Sequence, residues 1–269
     1  MIDIGVNLTN KRFDKDRLDV ISRAKSTSIN ALIVTGTSIE ESQKALELCQ
    51  AHPNYLYCTA GVHPHDADHV SDNYLQTLMQ LLQQPQVKAV GECGLDFNRN
   101  FSTPVQQQKV FDEQIALAAQ VNMPLFLHQR DAFDCWYQLL SPYLNKVPAM
   151  VSHCFTGSKA ELKTCLDAGM YIGITGWICD ERRGDVLRDI IKYIPLERLL
   201  IETDAPYLTP RTIKPRPKSS RNEPSYLSFI VTEISNLTGY SIQKIMTQTI
   251  LNTQDVFAIP TSLKQQSDK

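Results

Sequence analysis

The sequence predicts a (β/α)8 barrel, an α/β fold of eight parallel strands alternating with helices. Three observations carry this. Eight short β-branched runs recur along the 269 residues. They begin about 20 to 36 residues apart, which leaves room for one crossover helix each. No GxGxxG follows the first run, as it would in the rival doubly wound sheet. The domain is expected to span 1–258, with a polar tail over 259–269 that frays.

The predicted strands are 2–6 (IDIGV), 31–35 (ALIVT), 57–62 (YCTAGV), 88–92 (KAVGE), 124–128 (PLFLH), 150–154 (MVSHC), 170–175 (MYIGIT) and 198–203 (RLLIET). Helix signals lie between them. Ser38 with Glu41, and Ser158 with Glu161, read as capping boxes. Leu75, Leu78, Met79 and Leu82 share one helical face, as do Ala132, Trp136, Leu139, Leu140 and Tyr143. Pro104 suits a first helical turn, and Gly169 suits a helix end.

Composition narrows the function classes. Lys and Arg (27) nearly balance Asp and Glu (29), so no global charge draws nucleic acid; affinity for it needs a local patch. With 42% hydrophobic residues the chain can bury a core. No apolar run reaches the ~18 residues of a membrane span, and Met1–Gly5 lacks the basic start of a signal peptide. The seven cysteines show no CxxC and irregular spacing, which suits reduced thiols in a cytoplasmic protein.

Chemistry-bearing residues gather at predicted strand ends. His63 and His65 follow the third strand, Glu92 ends the fourth, His128 the fifth and His153 the sixth; Asp204 lies just past the eighth. In a barrel these ends converge on one face. Any one of them alone reads as a hydrogen-bonded structural residue, but their shared position favours a divalent-metal site. Two histidines and carboxylates suit magnesium, manganese or zinc. Strand alternation turns Cys93 and Cys154 away from the site, into the core.

The loop after Asp204 carries Arg211, Lys214, Arg216, Lys218 and Arg221 with no acid before Glu223. That charge predicts phosphate tracking, with a solvated surface loop as the alternative. Arg99, Arg130, Arg182 and Arg183 fall in other loops at the same end, and Phe97, Trp177 and Tyr207 are candidates for base stacking.

The motifs GVHPHD (61–66), GECGLDFNR (91–99), FLHQRDA (126–132), SHCFTG (152–157), YIGITGW (171–177), ETDAPYL (202–208) and RNEP (221–224) together resemble the TatD family of metal-dependent deoxyribonucleases, in order over almost the whole chain. The resemblance implies an amidohydrolase-like barrel that removes nucleotides from DNA 3′ ends with magnesium, in DNA repair or degradation. It implies Glu92, His128, His153 and Asp204 as metal ligands, and His63 at the scissile phosphate or leaving group. The expected catalytic set is then Asp204, His63 and Glu92, and the expected substrate-binding set is His65, Arg130, Tyr207, Arg211 and Arg221. Glu202 is expected to be a buried partner that orients Arg or His groups, with assistance at the leaving oxygen as the alternative.

One departure stands out. The family's Asp-x-His-x-His start is here Asp3, Gly5 and Asn7, so a two-metal clamp loses its imidazoles. A single tightly held metal is expected, with a second brought by substrate. The expected partner is single-stranded DNA, with RNA as a further candidate, and the expected state is a monomer. Competing functions are an ester or amide hydrolase, such as an aminoacyl-tRNA deacylase, and a nucleic-acid-binding protein without catalysis.

Overall fold

Eight parallel strands pair in sequence order: β1 (Ile2–Val6), β2 (Ala31–Val34), β3 (Leu56–Ala60), β4 (Val87–Asp96), β5 (Leu125–Arg130), β6 (Met150–Ser152), β7 (Tyr171–Ile174) and β8 (Leu199–Ile201). The structure, a computed structural model, describes residues 1–260. The ring closes just past β8, where Val6 bridges Ala205. There Asp204 N donates to Gly5 O and Asn7 N to Ala205 O, each at 2.8 Å. Around the strands run α1 (Arg17–Ser26), α2 (Ile39–Ala51), α3 (Tyr74–Leu82), α4 (Pro104–Val121), α5 (Phe133–Leu140), α6 (Lys159–Asp167), α7 (Asp185–Ile190), α8 (Leu227–Thr238) and α9 (Ile242–Phe257). The predicted (β/α)8 barrel is the observed fold.

Local chemistry explains the helix ends. Ser158 and Glu161 satisfy each other's backbone N–H groups in a full capping box ahead of α6. Ser38 Oγ accepts from Glu41 N at 3.1 Å to start α2. Pro104 opens α4, and Gly169, at φ +76°, ends α6.

The core has two layers, as strand alternation requires. Ile2, Ile4, Ile33, Ala89, Phe126, Val151 and Leu200 fill the barrel interior. Their neighbours Leu32, Val34, Leu125, Leu127, Ile172 and Ile201 face outward against helical residues such as Phe111, Trp136 and Leu162. Phe257 and Ile259, at the end of α9, join the inner layer. The buried Asn252 of α9 donates to Leu196 O (2.8 Å) and Leu199 O (2.7 Å) at the base of β8. Two helices therefore follow β8 where the spacing suggested one, and the second closes the barrel floor. Ile259 is 2% exposed, so the packed chain extends past 258; the rest of the expected tail, 261–269, lies outside the described residues.

Three strand boundaries move and matter for the site. β4 runs to Asp96 because its pairing with β5 continues through Asp96 and Arg130. β6 and β8 stop early, at Ser152 and Ile201, since Cys154 (φ +46°) and Asp204 (φ +54°) leave the extended region. Among the described residues no helix is long and apolar enough to cross a membrane.

Candidate metal centre and nucleic-acid cavity

A cavity of about 1730 Å³ opens at the C-terminal end of the strands and is lined by His63, His65, Glu92, His128, His153 and Asp204. Phe126, fully buried, packs against the cavity residue His153, with ring centroids 4.6 Å apart. Glu92 Oε1 is the hub. It lies 2.9 Å from His128 Nδ1, 3.4 Å from His63 Nε2 and 3.5 Å from His153 Nε2. Gly91, at φ +134°, lets β4 lean on β5 here; a Cβ would fall 2.1 Å from Phe126 O.

Each histidine is oriented differently. Buried Glu202 lies 2.6 Å from His153 Nδ1 and accepts from Cys154 N at 2.7 Å. Of the two roles considered for Glu202, the buried orienting one matches this placement. Its carboxylate is wedged between two glycines: a Cβ at Gly5 or at Gly173 would fall 2.4 Å from it. Gly5 thus leaves the space that Glu202 fills. Asn7 Nδ2 donates to Asp204 Oδ1 at 2.9 Å and so steadies that carboxylate. Asp3 points away from the cavity; fully buried, it accepts from Thr203 N at 2.9 Å and anchors the closure of the barrel.

Asp96 is the residue the sequence left unassigned. It is 1% exposed, and its Oδ2 lies 2.7 Å from His65 Nε2. It sits four residues past Glu92 on β4, a spacing that puts both carboxylates on one face. The signal was visible, but the predicted strand ended at Glu92.

Charge and burial set the protonation states. Burial works against the Glu92 carboxylate, but His153, His63 and the hydrogen bond from His128 outweigh it and hold the carboxyl well below the usual range. Burial lowers His63 to about 4, so its ring is neutral near pH 7. His63 Nδ1 accepts from His65 N (3.1 Å), so the neutral ring carries its proton on Nε2, facing Glu92. Burial would also neutralise His153, yet Glu202 and Glu92 raise it to about 10. Asp204 is pushed up to about 7, mainly by burial.

The donor set fits a divalent cation. Donor atoms of His63, Glu92 and His128 lie within 4.8 Å of one another, as do those of His153, Cys154 and Asp204. His128 Nε2 is buried with no hydrogen-bond partner; the nearest acid, Asp96 Oδ2, is 3.6 Å away. Such an orphan nitrogen beside a carboxylate is a ligand atom in waiting. Cys154 corrects the expectation from strand alternation: past the end of β6 the chain turns, and Cys154 lines the cavity. Cys93 stays in the outer core, fully buried.

The expected substrate-binding residues divide. His65, Arg130 and Tyr207 line the cavity. Arg211 and Arg221 do not, which corrects their assignment. Arg221 is committed to Asp16 (2.6 Å) and Glu223 (3.3 Å). Arg211 leans on Asp180 (3.7 Å) and Glu181 (3.5 Å), and Asp180 also holds Arg182 and Arg183. Charge counting along the β8 loop missed Asp16, Asp180 and Glu181 because they come from distant segments. The lining cations come instead from other segments, among them Arg12, Lys44, Arg99 and Arg130. Phe97 packs against the core, and Phe101 lines the cavity in its place.

Residues 2–258 match the family described as TatD related DNase. The chain is 51% identical over 259 residues to the 3'-5' ssDNA/RNA exonuclease TatD of Klebsiella pneumoniae (strain 342), covering 96% of this chain and 98% of that protein. It is 56% identical over 233 residues to the protein of the same name from Edwardsiella piscicida, covering 87% and 90%. Among solved structures it resembles YJJV, a TatD homolog from Escherichia coli K12 (TM-score 0.87, 29% identity, 97% and 98% covered). An enamidase of the amidohydrolase superfamily, at 11% identity and TM-score 0.60 over 96% of this chain and 67% of that one, shares the fold alone.

Proposed function

The chain belongs to the TatD related DNase family, and from that premise we propose that it is a magnesium-dependent 3′-5′ exonuclease acting on single-stranded DNA, with RNA as a further substrate. The observation that carries the reading is the convergence of Glu92, three histidines and Asp204 at the floor of one open cavity. The relatives' printed activity supports the direction of attack. Gly5 and Asn7 supply no imidazole, and replacing imidazole with oxygen or water moves the preference from zinc toward magnesium or manganese.

In this reading Glu92, His128, His153 and Asp204 hold the metal. When bound, it supplies Lewis-acid stabilisation of phosphate charge and a more acidic water. Glu202 fixes the ring of His153. Asp204, whose Oδ1 is held by Asn7 at 2.9 Å, takes the proton of the attacking water. His63, neutral with its proton on Nε2, donates a hydrogen bond to the leaving oxygen, which takes its proton from solvent water. Arg130 takes a backbone phosphate, and His65 and Tyr207 line the path of the strand. Seven unpaired thiols support a reducing compartment, the cytoplasm.

The test uses single strands labelled at the 3′ or the 5′ end, incubated with magnesium and then with a chelator. Immediate release of the 3′ label, stopped by the chelator, is the expected result. Release from the 5′ end, or cleavage indifferent to chelation, overturns the reading. An aminoacylated RNA in the same assay separates ester hydrolysis from phosphodiester hydrolysis.

A further inference from the structure

The loop between β4 and α4 presents a side chain that neither the core nor the metal centre uses. Phe101 is 62% exposed and lines the cavity. The loop is pinned. Asp96 Oδ1 accepts from Asn98 N (3.0 Å) and Arg99 N (2.8 Å). Ser102 Oγ donates to His65 O (2.8 Å) and accepts from Asp68 N (3.0 Å). The buried Gln107 amide spans both ends: Nε2 donates to Asp96 O (3.2 Å) and Ser102 O (2.9 Å), while Oε1 accepts from Asp96 N (2.9 Å). Phe101 is thus carried on a rigid frame.

Its surroundings point to a ligand. The ring meets His65 edge-on, with centroids 4.7 Å apart and planes at 76°. The Arg99 guanidinium stands 5.9 Å from the ring centroid, and among the described residues it has no ion-pair partner. His65 is in turn 4.2 Å from His63, whose Nε2 lies 3.4 Å from Glu92. An exposed aromatic ring and a cation with no ion-pair partner among the described residues therefore sit together, two ring contacts from the hub of the metal centre.

We propose that Phe101 and Arg99 form a nucleotide subsite: Phe101 stacks an unpaired base beside the scissile phosphate, and Arg99 takes the adjoining phosphate. The substrate class rests on the single-strand nuclease reading above. Every base has a π-face, so such a platform is tolerant of sequence. A base paired and stacked in a duplex cannot offer that face, so the subsite selects single strands. Trp177 differs, because Arg183 already covers its ring at 4.6 Å.

Phe101→Ala and Phe101→Trp, assayed on 3′-labelled single strands, test the subsite. We expect Phe101→Ala to raise KM roughly 5- to 100-fold, the range for losing one base stack, with kcat little changed and Phe101→Trp near wild type. An abasic site walked inward from the 3′ end should weaken the wild type at one position and leave Phe101→Ala indifferent there. Equal abasic sensitivity in both proteins, or a fall in kcat at unchanged KM, overturns the subsite; the latter would make Phe101 only a support for His65. A 2-aminopurine strand in chelator gives a readout free of turnover. Quenching on binding to the wild type, lost in Phe101→Ala, supports the subsite even if no strand is cleaved; cleavage failure alone then sinks only the nuclease reading. Quenching alike in both proteins overturns the subsite.

Discussion

Two loops leave the same face of the barrel and use their arginines in opposite ways. The loop after β8 is rich in cations, yet Arg221 is held by Asp16 and Glu223, and Arg211 stands 3.5 Å from Glu181. The loop after β4 has fewer cations, but among the described residues its Arg99 has no ion-pair partner and stands beside Phe101. The difference teaches that availability, and not charge count, marks a binding surface. An arginine already in a bidentate pair has little left to offer a phosphate.

The largest expected effect lies where both loops meet the metal centre. Glu92→Gln should cut turnover by more than ~100-fold, a loss seen even when only a ligand's supporting partner is removed. Its melting temperature should stay near that of the wild type, since the side chain serves the site and not the core. Nuclease activity close to wild type in a folded Glu92→Gln would take Glu92 out of the centre. Gly5→Ala comes next. The new methyl displaces Glu202, freeing the His153 ring, so metal affinity by calorimetry should fall about 10- to 100-fold. Unchanged affinity would make Glu202 a bystander.

Arg221→Ala sharpens the comparison from the other side. It should destabilise the fold by about 1–3 kcal/mol, the scale of a charge-assisted hydrogen-bonded pair, while KM for single strands stays put. A pH series adds a signature. Hydrogen bonds from Arg221 outweigh partial burial and hold Asp16 down at about 2, below its ordinary 3.9 or so. A depressed carboxyl contributes stability that is present above its unfolded pKa and lost as pH falls toward 2. Chemical denaturation between pH 5 and 2 should therefore show a steeper acid loss in the wild type than in Arg221→Ala; parallel curves would remove Asp16 from the account.

The smallest effect is the most discriminating. Neutralising Arg99 and Arg130 should lower the slope of log affinity against log salt by about 0.7 per lost phosphate contact on a single strand. Neutralising Arg211, Lys214 and Arg216 together should leave the slope unchanged. The reverse result would return the phosphate path to the β8 loop.

Much of this was legible in the sequence, for reasons of periodicity. Strand alternation brought Phe126 with His128, and Val151 with His153, to one interior face, and the capping serines marked where α2 and α6 begin. What failed was reasoning that ran past a strand's end or needed a distant partner. Alternation placed Cys154 in the core, but a left-handed residue ends the rule there. Ending β4 at Glu92 hid Asp96. Asp16, which pairs with Arg221, lies 205 positions earlier in the chain, and no local pattern reports such a pair.

The seam between the first strand and the last carries a consequence of its own. Asp204 is tied by its backbone to Gly5 and by its side chain to Asn7, so the carboxylate is set in place only when the two ends of the barrel meet. A nascent chain still missing its eighth strand lacks Asp204 and has nothing to set against Glu92, His128 and His153. On the proposed reading, cleaving power would therefore arrive with closure and not before.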